Sequence, residues 1–118
     1  MTHQDEPDPF EQGLALFNAG KFFECHEVWE IAWKDALGEP RAFFQGLIQA
    51  AVAILHAERG NCRGAISVYA KARARLDPLP GVFMGVALDE FRVALGEFFE
   101  QLEAGTEIPG RPRLRRCE

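Results

Sequence analysis

His26 and Glu30 stand four residues apart in the stretch from Phe22 to Trp33, a spacing that sets an imidazole and a carboxylate on one face of an α-helix. Such a pair can share a proton, hold a polar ligand or contribute two ligands to a metal ion. At roughly 100° per residue, Phe22, His26, Trp29 and Trp33 fall within one narrow sector, with Glu30 beside it. Glu24, Glu27, Lys34 and Asp35 take the opposite, wettable side. The expectation is a buried His26, and a polar group buried without a partner costs about 1–3 kcal/mol. The pattern points to a site and names no reaction.

A second polar set lies downstream. From about Pro40 to Arg59 the chain is apolar around most of a helical circumference, as in a central helix. One stripe is polar: Arg41, Gln45, Gln49 and His56 share a sector of roughly 80°. Glutamine and histidine can donate and accept inside a structure, unlike the Lys and Glu of an ordinary wet face. A short Gly38-Glu39-Pro40 turn makes the two helices antiparallel neighbours, so that His26 and Glu30 meet this stripe. Arg41 and Arg73 are then candidate counter-ions for Glu30.

Three arrangements fit that cluster. One is a buried hydrogen-bond network that fixes helix register. Another is a pocket for a small molecule or peptide, floored by the glutamines and walled by Trp29, Trp33 and phenylalanines. The third is a metal site built from His26, Glu30 and His56. The metal signal is the weaker one: amides are poor ligands, and Glu30 stands where H-E-x-x-H would have its second histidine. Catalysis has less support still. No nucleophile elbow or Gly-rich phosphate loop is present, Ser67 is the sole serine, and the side chains of Cys25 and His26 diverge by about 100°. No cofactor is implied.

The 118 residues, 47% of them hydrophobic, suffice for one domain with a core. A net charge of −5 argues against a nucleic-acid partner. No run approaches the roughly 18 apolar residues of a membrane span, and the N-terminus lacks the pattern of a secretory signal. Cys25, Cys62 and Cys117 show no metal-type spacing, so reduced thiols in the cytoplasm are expected. The partner left by these exclusions is a small molecule or another protein.

The elements needed to position the cluster are all helical. The first runs from about Pro9 to Asn18, with Asp8 as N-cap and Pro9 opening it. The second spans about Lys21 to Ala36, the third about Pro40 to Arg59, the fourth about Gly60 to Leu76, and the fifth about Val82 to Glu103. The expected organisation is a flexible acidic N-terminus (1–8), a single all-α domain (9–104) and a flexible basic tail (105–118). Gly20 and Gly60, forty positions apart, head similar segments, which suggests two helical hairpins and a closing helix in tetratricopeptide-like pairing. On the fifth helix Leu88 and Phe99 widen an apolar stripe, which makes them candidates for a homodimer surface.

From about Phe10 to Leu76 the chain resembles the bacterial, archaeal and plastid family called domain of unknown function 309. The residues that carry the likeness are Gly20, the His26-Glu27-x-x-Glu30 helix ending in Trp33, then Arg41 and Gln45-Gly46-Leu47-Ile48-Gln49, then Gly60, Asn61 and Gly64. The resemblance implies an all-helical fold in a small cytoplasmic protein, and no established activity, cofactor or substrate. It also implies that His26, Glu27, Glu30, Arg41, Gln45 and Gln49 act as one unit.

Overall fold

The computed structural model describes residues 8–105 and 110–116. Residues 1–7 of the expected acidic N-terminus, and Cys117, lie outside them. Five α-helices make the fold: α1 (Pro9–Asn18), α2 (Phe22–Asp35), α3 (Gly38–Glu58), α4 (Cys62–Leu76) and α5 (Leu88–Glu103). A small hairpin, β1 (Val82–Phe83) and β2 (Val86–Ala87), stands between α4 and α5.

Local chemistry sets the helix ends. The Asp8 carboxylate accepts from the Glu11 N–H at 3.3 Å, and Pro9 opens α1 where no N–H is needed. Two identical C-terminal turns follow. Gly20, at φ 80°, donates to Phe17 O while Lys21 donates to Leu16 O. Gly60, at φ 83°, donates to Ala57 O while Asn61 donates to His56 O. This is the Schellman arrangement, which requires the left-handed conformation that glycine adopts at little cost. The forty-residue offset thus marks the same turn used twice, closing the α1–α2 and α3–α4 hairpins.

α3 is the central helix, with Phe43, Leu47, Ala50, Ala51, Ala53 and Ile54 fully buried. Gly46 lets α4 come close: a Cβ there would lie 2.6 Å from a Leu76 methyl. On the other flank Trp29 of α2 is buried, stacks near Phe17 with ring centroids 5.9 Å apart, and donates its indole N–H to Phe10 O at 3.2 Å. The Cys25 thiol belongs to the same core.

The fifth helix begins at Leu88, six residues later than the apolar pattern suggests. Val82 pairs with Ala87 and Phe83 with Val86, around a two-residue turn of Met84 (φ 49°) and Gly85 (φ 75°). Positive φ at both positions is the type I′ geometry that matches the twist of paired strands. Phe83 packs on Phe43 at 4.9 Å, which anchors the hairpin to α3. Leu88 and Phe99, candidates for a dimer surface, are buried instead, and Phe99 stacks on Tyr69 of α4 at 4.3 Å. Their stripe closes the core.

The basic tail is held rather than loose over residues 110–116. Leu114 is buried, and the Asn18 side chain brackets its backbone, donating to Leu114 O and accepting from Leu114 N, both at 2.9 Å. Arg111 pairs with Glu58 at 2.6 Å, Arg115 with Glu90 at 3.0 Å and Arg116 with Glu11 at 2.7 Å. Val86 and Arg116 form an antiparallel bridge beside the hairpin. The arginines find carboxylates on three helices, and one buried leucine fixes the register.

Candidate functional site

α2 and α3 are joined by only Ala36 and Leu37, since Gly38, Glu39 and Pro40 already form the first turn of α3. The helices therefore run antiparallel, and Arg41 at the start of α3 reaches back to the end of α2. Its guanidinium donates to Trp33 O and Ala36 O, both at 3.3 Å, and lies 3.9 Å from the centre of the Trp33 ring. The last carbonyls of a helix lack intrahelical donors and carry the negative end of its dipole, so a cation is favoured there. That is why Arg41 does not pair with Glu30. Arg73 does not reach Glu30 either: it stays on α4, 3.6 Å from Asp77.

His26 and Glu30 do meet, with Nε2 3.1 Å from the carboxylate. The pair sits at a rim, not in the core: His26 is 29% exposed and Glu30 49%. Among the described residues no polar or charged residue is fully buried, so the cluster expected to be buried is a half-open seam. The apolar sector of α2 is centred on Phe22, Cys25 and Trp29, which moves His26 to its edge. Arg41, Gln45, Gln49 and His56 are half-buried along α3. Glu27 is exposed on the outer side of α2 and joins none of these contacts.

Two polar atoms on these helices are buried without a hydrogen-bond partner among the described residues: the Trp33 indole Nε1 and the Gln49 amide Oε1. One is a donor on α2, the other an acceptor on α3.

The proposed metal triad is not assembled. His56 lies seven residues beyond Gln49, about 10 Å further along α3, where its Nδ1 is 3.5 Å from the Asn61 amide. Among the described residues no three His, Cys, Asp or Glu side chains are placed to hold a metal ion. The nucleophiles are no better disposed. Cys25 is buried, and that burial pushes its thiol far above the ordinary range. Cys62 and Ser67 lie exposed on α4. No helix of the described residues is long and apolar enough to cross a membrane.

Residues that the pattern of α2 and α3 did not reveal hold the ends of the fold together: Asn18, Glu58, Glu90 and the tail arginines. Their only sequence signal is charge, four arginines at the end of an otherwise acidic chain.

Comparison with known proteins agrees with this architecture. A conserved hypothetical protein from Thermus thermophilus, known by crystal structure, superposes with a TM-score of 0.67 at 37% identity, covering 82% of this chain and 97% of that one. Uncharacterized protein YpuF of Bacillus subtilis (strain 168) is 32% identical over 101 residues, and an uncharacterized protein of Aquifex aeolicus (strain VF5) is 29% identical over 111. The alignments cover 82% and 93% of this chain but only 58% and 32% of those longer relatives. The family model for the domain of unknown function DUF309 matches residues 10–68, which hold α1 from Phe10, α2, α3, the Gly20 and Gly60 turns and the first half of α4. The chain belongs to the DUF309 family, with the His26–Glu30 pair and the Arg41–Trp33 stack both inside the matched region.

Proposed function

We propose that this chain is a non-catalytic helical binding module of the cytoplasm, and that its ligand seat is the half-open seam between α2 and α3. The observation that carries the reading is the pair of unpartnered buried atoms, Trp33 Nε1 on α2 and Gln49 Oε1 on α3, on the helices that also carry the half-exposed His26–Glu30 pair. Each such atom costs about 1–3 kcal/mol if it stays unpaired, and a ligand that accepts from the indole and donates to the amide removes that cost. The Arg41 stack holds the indole in place for such a contact. His26 faces a carboxylate rather than a nucleophile, which favours binding over chemistry. The cytoplasm is favoured because the buried Cys25 and the exposed Cys62 are both free thiols.

The chain's two tryptophans give the test. Trp29 is sealed in the core, so a small molecule in the seam reports through Trp33. The purified chain is titrated with amino acids, dicarboxylic acids, nucleotides and zinc or manganese ions while its emission is followed. Saturable change with an organic member, abolished in Gln49→Leu and in His26→Gln, is the expected result. Stoichiometric metal binding abolished in His26→Gln would overturn the reading.

A further inference from the structure

We propose that the opposite flank of α2 is a second interaction surface, a short apolar groove that receives a basic amphipathic segment of a partner protein. The groove lies where the start of α1, the end of α2 and the β-turn converge, with a volume of ≈ 350 Å³. Phe10 and Phe44 form its floor, and Ile31 and Met84, 55% and 42% exposed, form its walls. That volume takes one or two large apolar side chains rather than a dinucleotide or haem.

Charge selects the occupant. Asp8 and Asp35 stand on the rim, and no Lys, Arg or His is among the lining residues described. Asp8 gives one carboxylate oxygen to the Glu11 N–H, while Asp35 is in no ion pair with any described residue. A segment with an apolar anchor and flanking lysines or arginines satisfies both floor and rim, whereas an acidic one is repelled.

Met84 supplies an independent sign. It is the one non-glycine described residue at positive φ, held at 49° on the tip of the hairpin. Glycine or asparagine would occupy that corner with less strain. A strained corner that carries a flexible, half-exposed thioether into an apolar groove fits a surface that adapts to a partner's side chains.

The probe is a fluorescein-labelled 14-residue peptide of leucine and lysine at helical spacing, with its leucine–glutamate counterpart as comparator. The full chain carries methyl-¹³C methionine, and Met1 and Met84 are its only methionines. Micromolar binding of the lysine peptide is expected, with a shift of the Met84 methyl signal. Ile31→Asp and Asp35→Lys should each weaken binding at least fivefold. Val93→Asp, at an exposed apolar site on α5, should leave it unchanged. Equal binding of the glutamate peptide would overturn the proposal. So would unaltered affinity in both groove variants, or a Met84 shift that follows protein concentration alone, since the occupant would then be a second copy. Neither Ile31 nor Asp35 belongs to the set of His26, Glu30, Trp33 and Gln49, none of which lines the groove, so failure of the two variants leaves the α2–α3 seat untouched.

Discussion

The carboxamide of Asn18 forms two hydrogen bonds to the backbone of Leu114, ninety-six residues later, one to the carbonyl and one from the N–H, each 2.9 Å long. A side-chain amide offers a donor and an acceptor on adjacent atoms, so it completes a backbone strand that has no neighbour on that side. Asn18→Ala removes both bonds and leaves partly buried backbone groups unpaired, at an expected cost of about 1–3 kcal/mol. Asn18→Asp keeps the acceptor but sets a carboxylate against the Leu114 carbonyl, and should cost as much. Urea unfolding followed by circular dichroism checks both, and unchanged midpoints would show that the strap adds nothing to stability.

Acid should loosen that strap before the helices melt. Arg115 Nε donates to both Glu90 oxygens at 3.0 Å, and this hydrogen bond holds the carboxyl below its ordinary range. A depressed value in the folded state means that the unfolded chain takes up the proton first. The contribution is therefore present above the ordinary carboxylate range and lost as pH falls through the folded value. Amide exchange over residues 110–116, corrected for its intrinsic pH dependence, should accelerate on acidification, and Glu90→Gln should flatten that response. Added salt should act in the same direction on these exposed pairs.

Arg41→Lys tests whether the α2–α3 corner needs a planar cation. Both hydrogen bonds leave the one Nη1, which a lysine ammonium could imitate, but an ammonium has no planar face to lay on the Trp33 indole while it donates to those carbonyls. A loss of about 1–2 kcal/mol is expected for Lys and more for Ala, with a red shift of tryptophan emission as Trp33 opens to water. An Arg41→Lys protein with wild-type stability and emission would show the stack to be incidental.

The two described thiols should differ sharply in reactivity. Burial pushes the Cys25 thiol up, so it stays neutral across the physiological range, while Cys62 is exposed at the start of α4. Peptide mapping after iodoacetamide treatment of native protein should find Cys62 modified and Cys25 modified only after unfolding. Prompt labelling of Cys25 would mean that α2 opens readily.

What the sequence displays follows the range of each signal. α1 is legible to the residue because cap, proline and periodicity coincide between Asp8 and Asn18. The repeated turn is legible because Gly20 and Gly60 each head the same pattern. The start of α5 is not, since Val82, Phe83, Val86 and Ala87 continue an apolar rhythm that suits a helix as well as a hairpin. At the seam, the His26–Glu30 contact is intrahelical and follows from spacing alone. The partners of Arg41 are backbone carbonyls, which no side-chain pattern displays. The buried face of α2 is centred on Phe22, Cys25 and Trp29, not on the sector that holds His26 and Trp33, which turns His26 from a core residue into a rim one. The tail reads as a solvated charge run because its carboxylates are scattered over Glu11, Glu58 and Glu90.

The strap also orders events in time. The hairpins α1–α2 and α3–α4 use neighbours in sequence and can form while the chain is still being made. Asn18, Glu11 and Glu58 must wait for residues 111–116, far later along the chain. A nascent chain therefore presents a finished α2–α3 surface while the clasp is still open. Any partner that recognises the α2–α3 surface meets it before the strap closes, whereas one that needs the strap must wait until residues 111–116 have been made.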